Sequence, residues 1–335
     1  MAREIGVVGA GGWGTALAKV LADKGERVTL WCHGAASFRE LSEQRQNVSY
    51  LPGIRLPDNF VVTQSLQVAV AAKALVICAV PSHAVREVFT AAAAHFDDRT
   101  LLLCGTKGLE EATLQTMAEL FSEILGAAST PRHGFLSGPT FASEVARGLP
   151  AAVTVGAYSE TVALMMQEIL STPSLRVYTS LDVVGVQIGG VVKNVIAIAA
   201  GISDGLGLGL NARAALITRG LAEITRLATR MGADPMTLAG LPGLGDLVLT
   251  CTGDLSRNRT VGLQIAAGKS LQEITASART VAEGVRNTRA LHDLAQRLAV
   301  EMPIVEQMYQ VLYGAKRPGD AVRDLMQRSL KPEAG

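Results

Sequence analysis

Residues 183–202 read VVGVQIGGVVKNVIAIAAGI, almost wholly apolar and rich in small side chains, yet with Lys193 and Asn194 in the middle. A membrane span is expected to avoid a central lysine, because an ionised head is costly in hydrocarbon. No second segment of this kind occurs in the chain, so a buried helix of a soluble protein is the expectation. Burial raises its own question, since an ammonium group is rarely buried without a partner. Two readings of Lys193 stay open: a satisfied structural cation, or a cleft lysine whose proton affinity is tuned for chemistry. The stretch also divides the chain. Strand-like runs and glycine-rich turns precede it, and helical periodicity follows it.

Upstream, residues 4–9 (EIGVVG) form a short apolar run that reads as a buried parallel strand. It leads into Gly9-Ala10-Gly11-Gly12-Trp13-Gly14 and an amphipathic TALAKVLADKG, and a second strand follows at 27–32, RVTLWC. Gly-x-Gly-x-x-Gly is a weak signal alone and a strong one between a strand and a helix of a βαβ unit. Gly9 permits the tight turn, Gly11 lets backbone approach a pyrophosphate, and Gly14 allows close helix–strand packing. The helix start then offers unpaired N–H groups to phosphate. The competing reading is a glycine-rich turn without a ligand. At the end of the second strand, where an NAD-preferring site places Asp or Glu, the chain has Trp31-Cys32-His33. No carboxylate there repels a ribose 2′-phosphate, so NADP(H) is allowed, with His33 either its contact or a solvated loop residue.

The alternation continues through apolar runs at 74–80, 100–104, 135–137, 151–155 and 175–179, while residues 48–62, punctuated by Pro and Gly, take no assignment. Ligands of an open parallel sheet collect beyond the carboxyl ends of its strands, where His83, Lys107 and Thr140 fall. Lys107, between Gly105 and Gly108, is the most suggestive, against the plain reading of a surface lysine. His83 and His133 are weaker candidates for a base.

Composition narrows the class. With 335 residues, 48% hydrophobic and 18% charged, the chain has material for two domains with real cores. A formal net charge of +1 without a long basic run gives no reason to expect nucleic acid or an anionic membrane as partner. Cys32, Cys78, Cys104 and Cys251 form no CxxC pair, so no metal site or redox pair is expected. The opening MAREIGVVGAGG runs straight into the glycine motif; no signal peptide is expected, and the cytoplasm is the expected compartment.

Downstream, helices are expected at 211–231, 270–275, 285–299 and 304–313. Two segments interrupt them. Residues 241–246 are too rich in Gly and Pro for a helix and deliver Asp246; residues 256–259, Ser256-Arg257-Asn258-Arg259, gather donors that suit an anion. The bland alternative for the second is a capped helix start. Val281-Ala282-Glu283-Gly284 is a loop with a lone acid. No repeat or linker separates the halves, so a cleft is expected where they abut.

With these residues in view, the chain resembles the bacterial NAD(P)-dependent glycerol-3-phosphate dehydrogenases from end to end. The resemblance rests on GAGGWGTALA, VPSHAVREV, GTKGLE, LSGPTFASEVARGLP, the string from GVQIGG through LITRGLAE, LPGLGDLVLTCTGDLSRNR, VAEGVRNT and VEMPIVEQMYQVLY. It implies an α/β doubly wound Rossmann-type domain (1–188) followed by an all-α substrate domain (189–335). It implies Lys193 as catalytic acid/base, with Asp246 orienting it or the substrate hydroxyls. Lys107, Gly138, Thr140, Ser256, Arg257 and Asn258 join these two in the substrate pocket. Gly9, Gly11, Gly12, Trp13, Gly14, His33, Lys107, Ala142, Arg257, Val281 and Glu283 line the cofactor. Gly12 stands where many relatives carry Ser, and Trp13 where others carry Tyr or Phe. His33 replaces a basic arginine pair, so preference between NADP and NAD stays open, leaning to NADPH. The reaction implied is reversible reduction of dihydroxyacetone phosphate to sn-glycerol 3-phosphate for phospholipid synthesis, by a cytoplasmic homodimer that binds no nucleic acid, metal or membrane. The alternatives are a related NADP-dependent reductase of a small hydroxy or keto acid, and a dinucleotide sensor without catalysis. Ser256-Arg257-Asn258 argues against the first, and the presence of both Lys193 and Asp246 against the second.

Overall fold

The computed structural model describes residues 2–277, 282–330 and 332–333. Its strands are β1 (Glu4–Val8), β2 (Arg27–Trp31), β3 (Gln46–Asn47), β4 (Leu51–Arg55), β5 (Phe60–Thr63), β6 (Leu75–Cys78), β7 (Leu101–Cys104), β8 (His133–Ser137), β9 (Ala151–Ala157) and β10 (Leu175–Ser180). Eight form one sheet in the order β10-β9-β8-β7-β6-β1-β2-β5. From β5 to β8 every neighbouring pair is parallel, and the strand order reverses between β1 and β6, the arrangement of a dinucleotide-binding sheet. β1, β6 and β7 are buried almost throughout, which is why they read as unbroken apolar runs. Val8 registers with Cys78 and Cys78 with Cys104, so the turns after β1, β6, β7 and β8 leave one edge of the sheet together.

The structure adds to the sequence reading in three places. The unassigned stretch contains β4, which pairs with β3 just before it, and most of β5, a four-residue edge strand with Val61 exposed; a short half-exposed strand behind a Pro-Asp-Asn turn has too little pattern to be read. β9 runs antiparallel to β8, and β10 follows β9, so the sheet is mixed at that end. Residues 241–245, expected to be irregular, form a π-helical turn that runs into the helix Asp246–Thr252. Pro242 is tolerated because it lies in the first turn, where its missing N–H has no intrahelical acceptor.

The helix Val183–Gly205 joins the two halves. Asp182 caps it, accepting from Gly185 N at 2.8 Å. Val183 and Val186 pack in the core beneath the sheet, and from Ile188 onward the same unbroken helix is the centre of the helical core. It is the one described helix long and apolar enough to cross a membrane, and most of that apolar length is buried inside the protein. Its small residues let other backbones touch it. A Cβ at Gly201 would lie 2.0 Å from the Arg259 carbonyl oxygen, and one at Gly262 would lie 2.1 Å from that of Ile198, so the helix Arg257–Ala266 crosses at backbone contact.

Candidate active site

Lys193 projects from the middle of this central helix and is 7% exposed. Its ammonium donates to Oδ1 of the fully buried Asp246 and, at 2.8 Å, to Thr250 Oγ1. The Asp246–Thr252 helix supplies both acceptors from one face, four residues apart, and Thr250 Oγ1 donates in turn to the Asp246 carbonyl at 2.6 Å. Across the carboxylate, Lys107 Nζ from the turn after β7 donates to Asp246 Oδ2 at 2.6 Å and to the Gly138 carbonyl at 3.2 Å. Thr140 Oγ1 donates to that same carbonyl at 3.2 Å. Lys193, Asp246, Lys107, Gly138 and Thr140, expected together from the sequence, are therefore one cluster at the carboxyl edge of the sheet.

The electrostatics of Lys193 suit a group that exchanges its proton. Burial pushes its pKa down to about 8; Asp246 opposes the shift and Lys107 adds to it. A group so poised exchanges its proton near neutral pH, as an acid/base catalyst must.

The glycine loop is tightly packed at Gly9 and Gly14 and open at Gly11. Gly9 has φ +119°, and a Cβ there would meet the Ala79 carbonyl carbon at 2.6 Å. A Cβ at Gly14 would lie 1.9 Å from the Gly9 oxygen, so the helix Gly12–Asp23 packs directly on the turn. At Gly11 a Cβ would meet nothing within 4 Å, and the helix start has no side-chain cap, which leaves its first N–H groups for an anion. A Cβ at Gly12 would lie 3.0 Å from the Tyr50 carbonyl oxygen and 3.7 Å from the Ala142 Cβ. The Trp13 indole N–H is buried against Gly105 without a protein partner. His33 is exposed at the end of β2, its ring edge-on to Trp31 at 5.9 Å.

The helical half closes over this edge. Ser256 serves as the cap of Arg257–Ala266, accepting from Arg259 N at 3.2 Å. Asn258 Nδ2 donates to Asn194 Oδ1 at 2.8 Å, while its Oδ1 accepts from Gly284 N at 3.0 Å. Arg257, next to Asn258 in the chain, is exposed, and its charge acts on Glu283. Arg259 is engaged elsewhere, by Asp204 at 2.8 Å and Asp254 at 3.0 Å. Glu283 accepts from Ser82 Oγ at 3.0 Å across the domains, and burial raises its pKa. Val281 lies outside the described residues.

His133 is no base for this site. It stands at the start of β8, the far edge of the sheet, with Nε2 3.0 Å from Ser129 Oγ. Burial and Arg132 push its pKa down to about 4, so it is a neutral core residue. His83, exposed in the turn after β6, makes no described hydrogen bond to the lysine cluster. Sequence reasoning missed Thr250, Asn194, Ser82 and Asn287. Thr250 was legible only once residues 246–252 were known to be helical, which puts it on the face of Asp246.

Comparison with known proteins agrees with this geometry. Residues 4–163 match the model for the NAD-dependent glycerol-3-phosphate dehydrogenase N-terminus, and residues 182–323 match the one for its C-terminus. The chain is 53% identical over 333 residues to a glycerol-3-phosphate dehydrogenase (NAD(P)+) of Citrifermentans bemidjiense, covering 99% of each. It is 54% identical over 327 residues to that of Anaeromyxobacter sp. strain K, covering 98% of each. The crystal structure of a glycerol-3-phosphate dehydrogenase from Coxiella burnetii superposes with a TM-score of 0.93 at 40% identity, over 98% of this chain and 99% of that one.

Proposed function

This chain belongs to the NAD-dependent glycerol-3-phosphate dehydrogenase family, and from that premise we propose how its residues interconvert dihydroxyacetone phosphate and sn-glycerol 3-phosphate. Its activity is that of an oxidoreductase using NAD or NADP, as in its close relatives. The family matches do not favour the rival reading as a reductase of another small hydroxy or keto acid.

The nicotinamide, when bound, supplies or accepts the hydride. The chain's residues handle the proton and the charges. In reduction Lys193 gives its proton to the carbonyl oxygen; in oxidation it takes the proton from the C2 hydroxyl. Asp246 holds the amine in place and balances its charge, and Thr250 fixes its direction. Lys107 eases loss of the Lys193 proton and offers its own N–H groups to the substrate, with Gly138 and Thr140 shaping the wall beside it. Arg257 is the forked donor for the substrate phosphate, with Ser256 and Asn258 fixing the helix start that carries it. The first turn after Gly11 receives the pyrophosphate; Gly12, Trp13 and Ala142 line it, and His33 receives the adenosine ribose, with NADPH favoured. Glu283 closes the nicotinamide end. A cytoplasmic homodimer feeding glycerophospholipid synthesis completes the proposal.

The observation that carries it is the Lys193–Asp246–Lys107 cluster, at the same edge of the sheet as the glycine loop. The test is oxidation of NADPH, and separately of NADH, by purified protein given dihydroxyacetone phosphate. Rapid oxidation that fails with plain dihydroxyacetone is the expected result, and the ratio of the two rates gives the cofactor preference. Binding of either cofactor without turnover on this substrate would refute the assignment.

A further inference from the structure

The helix Glu283–Leu298 reaches into the sheet domain with two side chains four residues apart on one face. Glu283 accepts from Ser82, after β6; Asn287, 1% exposed, donates through Nδ2 to the Lys107 carbonyl at 3.3 Å, after β7. The Asn287 Oδ1 stands over Gly108, 3.2 Å from a Cβ built there, and Ser82 closes the other side at 2.5 Å. Lys107 and Gly108 are thus gripped between the two domains. The helix making the grip is itself tied to the catalytic helix, because Gly284 N–H donates to Asn258 and Asn258 donates to Asn194. A Cβ at Gly284 would lie 2.7 Å from the Asn194 carbonyl oxygen. The contacts close a circuit: Lys193 to Asp246, Asp246 to Lys107, Lys107 through Asn287 to the helix start, and back through Asn258 to Asn194.

We infer that Asn287 is a positioning residue for the reaction, holding the Lys107 turn from the helical half so that the Lys107 ammonium stays on Asp246 beside Lys193. This rests on the acid/base role given to Lys193 above. The groups facing Lys193 are Asp246, Thr250 and Cys251 from one helix and Lys107 from the turn after β7. The Cys251 thiol, pushed up to about 12 by burial, is neutral, so Lys107 is the cation that eases proton loss. Releasing the Lys107 turn removes that cation and raises the proton affinity of Lys193.

The test compares the wild-type chain with Asn287→Ala and with Asn287→Leu, which keeps most of the volume and removes both polar atoms. The Lys193 Cε signal, assigned with Lys193→Arg, is titrated by NMR, a readout that needs no turnover. The expected midpoint in either folded variant is higher by roughly half a unit or more. Alongside it, kcat falls about tenfold and KM for NADPH does not change. An unmoved midpoint in a folded variant, whatever happens to Tm, overturns the inference. A moved midpoint in a protein inactive on dihydroxyacetone phosphate would instead leave the grip standing and refute the assigned reaction.

Discussion

In the proposed mechanism Lys193 carries the proton, and its environment predicts a definite pH behaviour. Its folded pKa, about 8, lies below the ordinary lysine value of 10.5. The neutral amine that oxidation needs is therefore gained as pH rises through about 8, and the ammonium that reduction needs is lost over the same range. Rate profiles in the two directions should show opposite limbs centred there. Lys193→Met should lower turnover by roughly 10²- to 10⁴-fold while dinucleotide affinity, read by fluorescence titration, stays nearly unchanged. Arg257→Ala should raise KM for dihydroxyacetone phosphate at least about tenfold, as expected for a lost charged donor, with little effect on a non-phosphorylated analogue. Equal losses on both substrates would remove Arg257 from the phosphate site.

Among the elements, two helices carry glycines in opposite surroundings, one packed against backbone and one bordering open space. Gly201 lies where the central helix meets Arg257–Ala266, and any Cβ there strikes the Arg259 backbone. Gly201→Ala should therefore cost about 2–4 kcal/mol, seen as a fall in Tm. Gly11 borders open space, and Gly11→Ala should leave Tm within a degree or so while weakening dinucleotide binding about tenfold or more. If Gly11→Ala destabilised the protein as much as Gly201→Ala, the open space would not be a ligand site. The glycine motif was legible because strand, turn and helix are contiguous. The role of Gly201 was not, because its partner lies on another helix.

For the whole molecule, the central helix has its first turn in the sheet core and its remainder in the helical core. Neither core is complete without it, so calorimetry should record one cooperative unfolding transition; two resolved transitions would mean that the halves are independently stable. Local pattern was enough for the parallel core strands, the glycine loop and the buried central helix, and a chain-long resemblance added the candidate roles of Lys193, Lys107 and Asp246. Packing alone shows that Lys107 and Lys193 share the two oxygens of Asp246, that Arg259 is held by Asp204, and that Asn287 donates to the Lys107 carbonyl. Those facts depend on how far-separated segments pack, and neither side-chain type nor spacing specifies which of several possible partners a buried charge will meet.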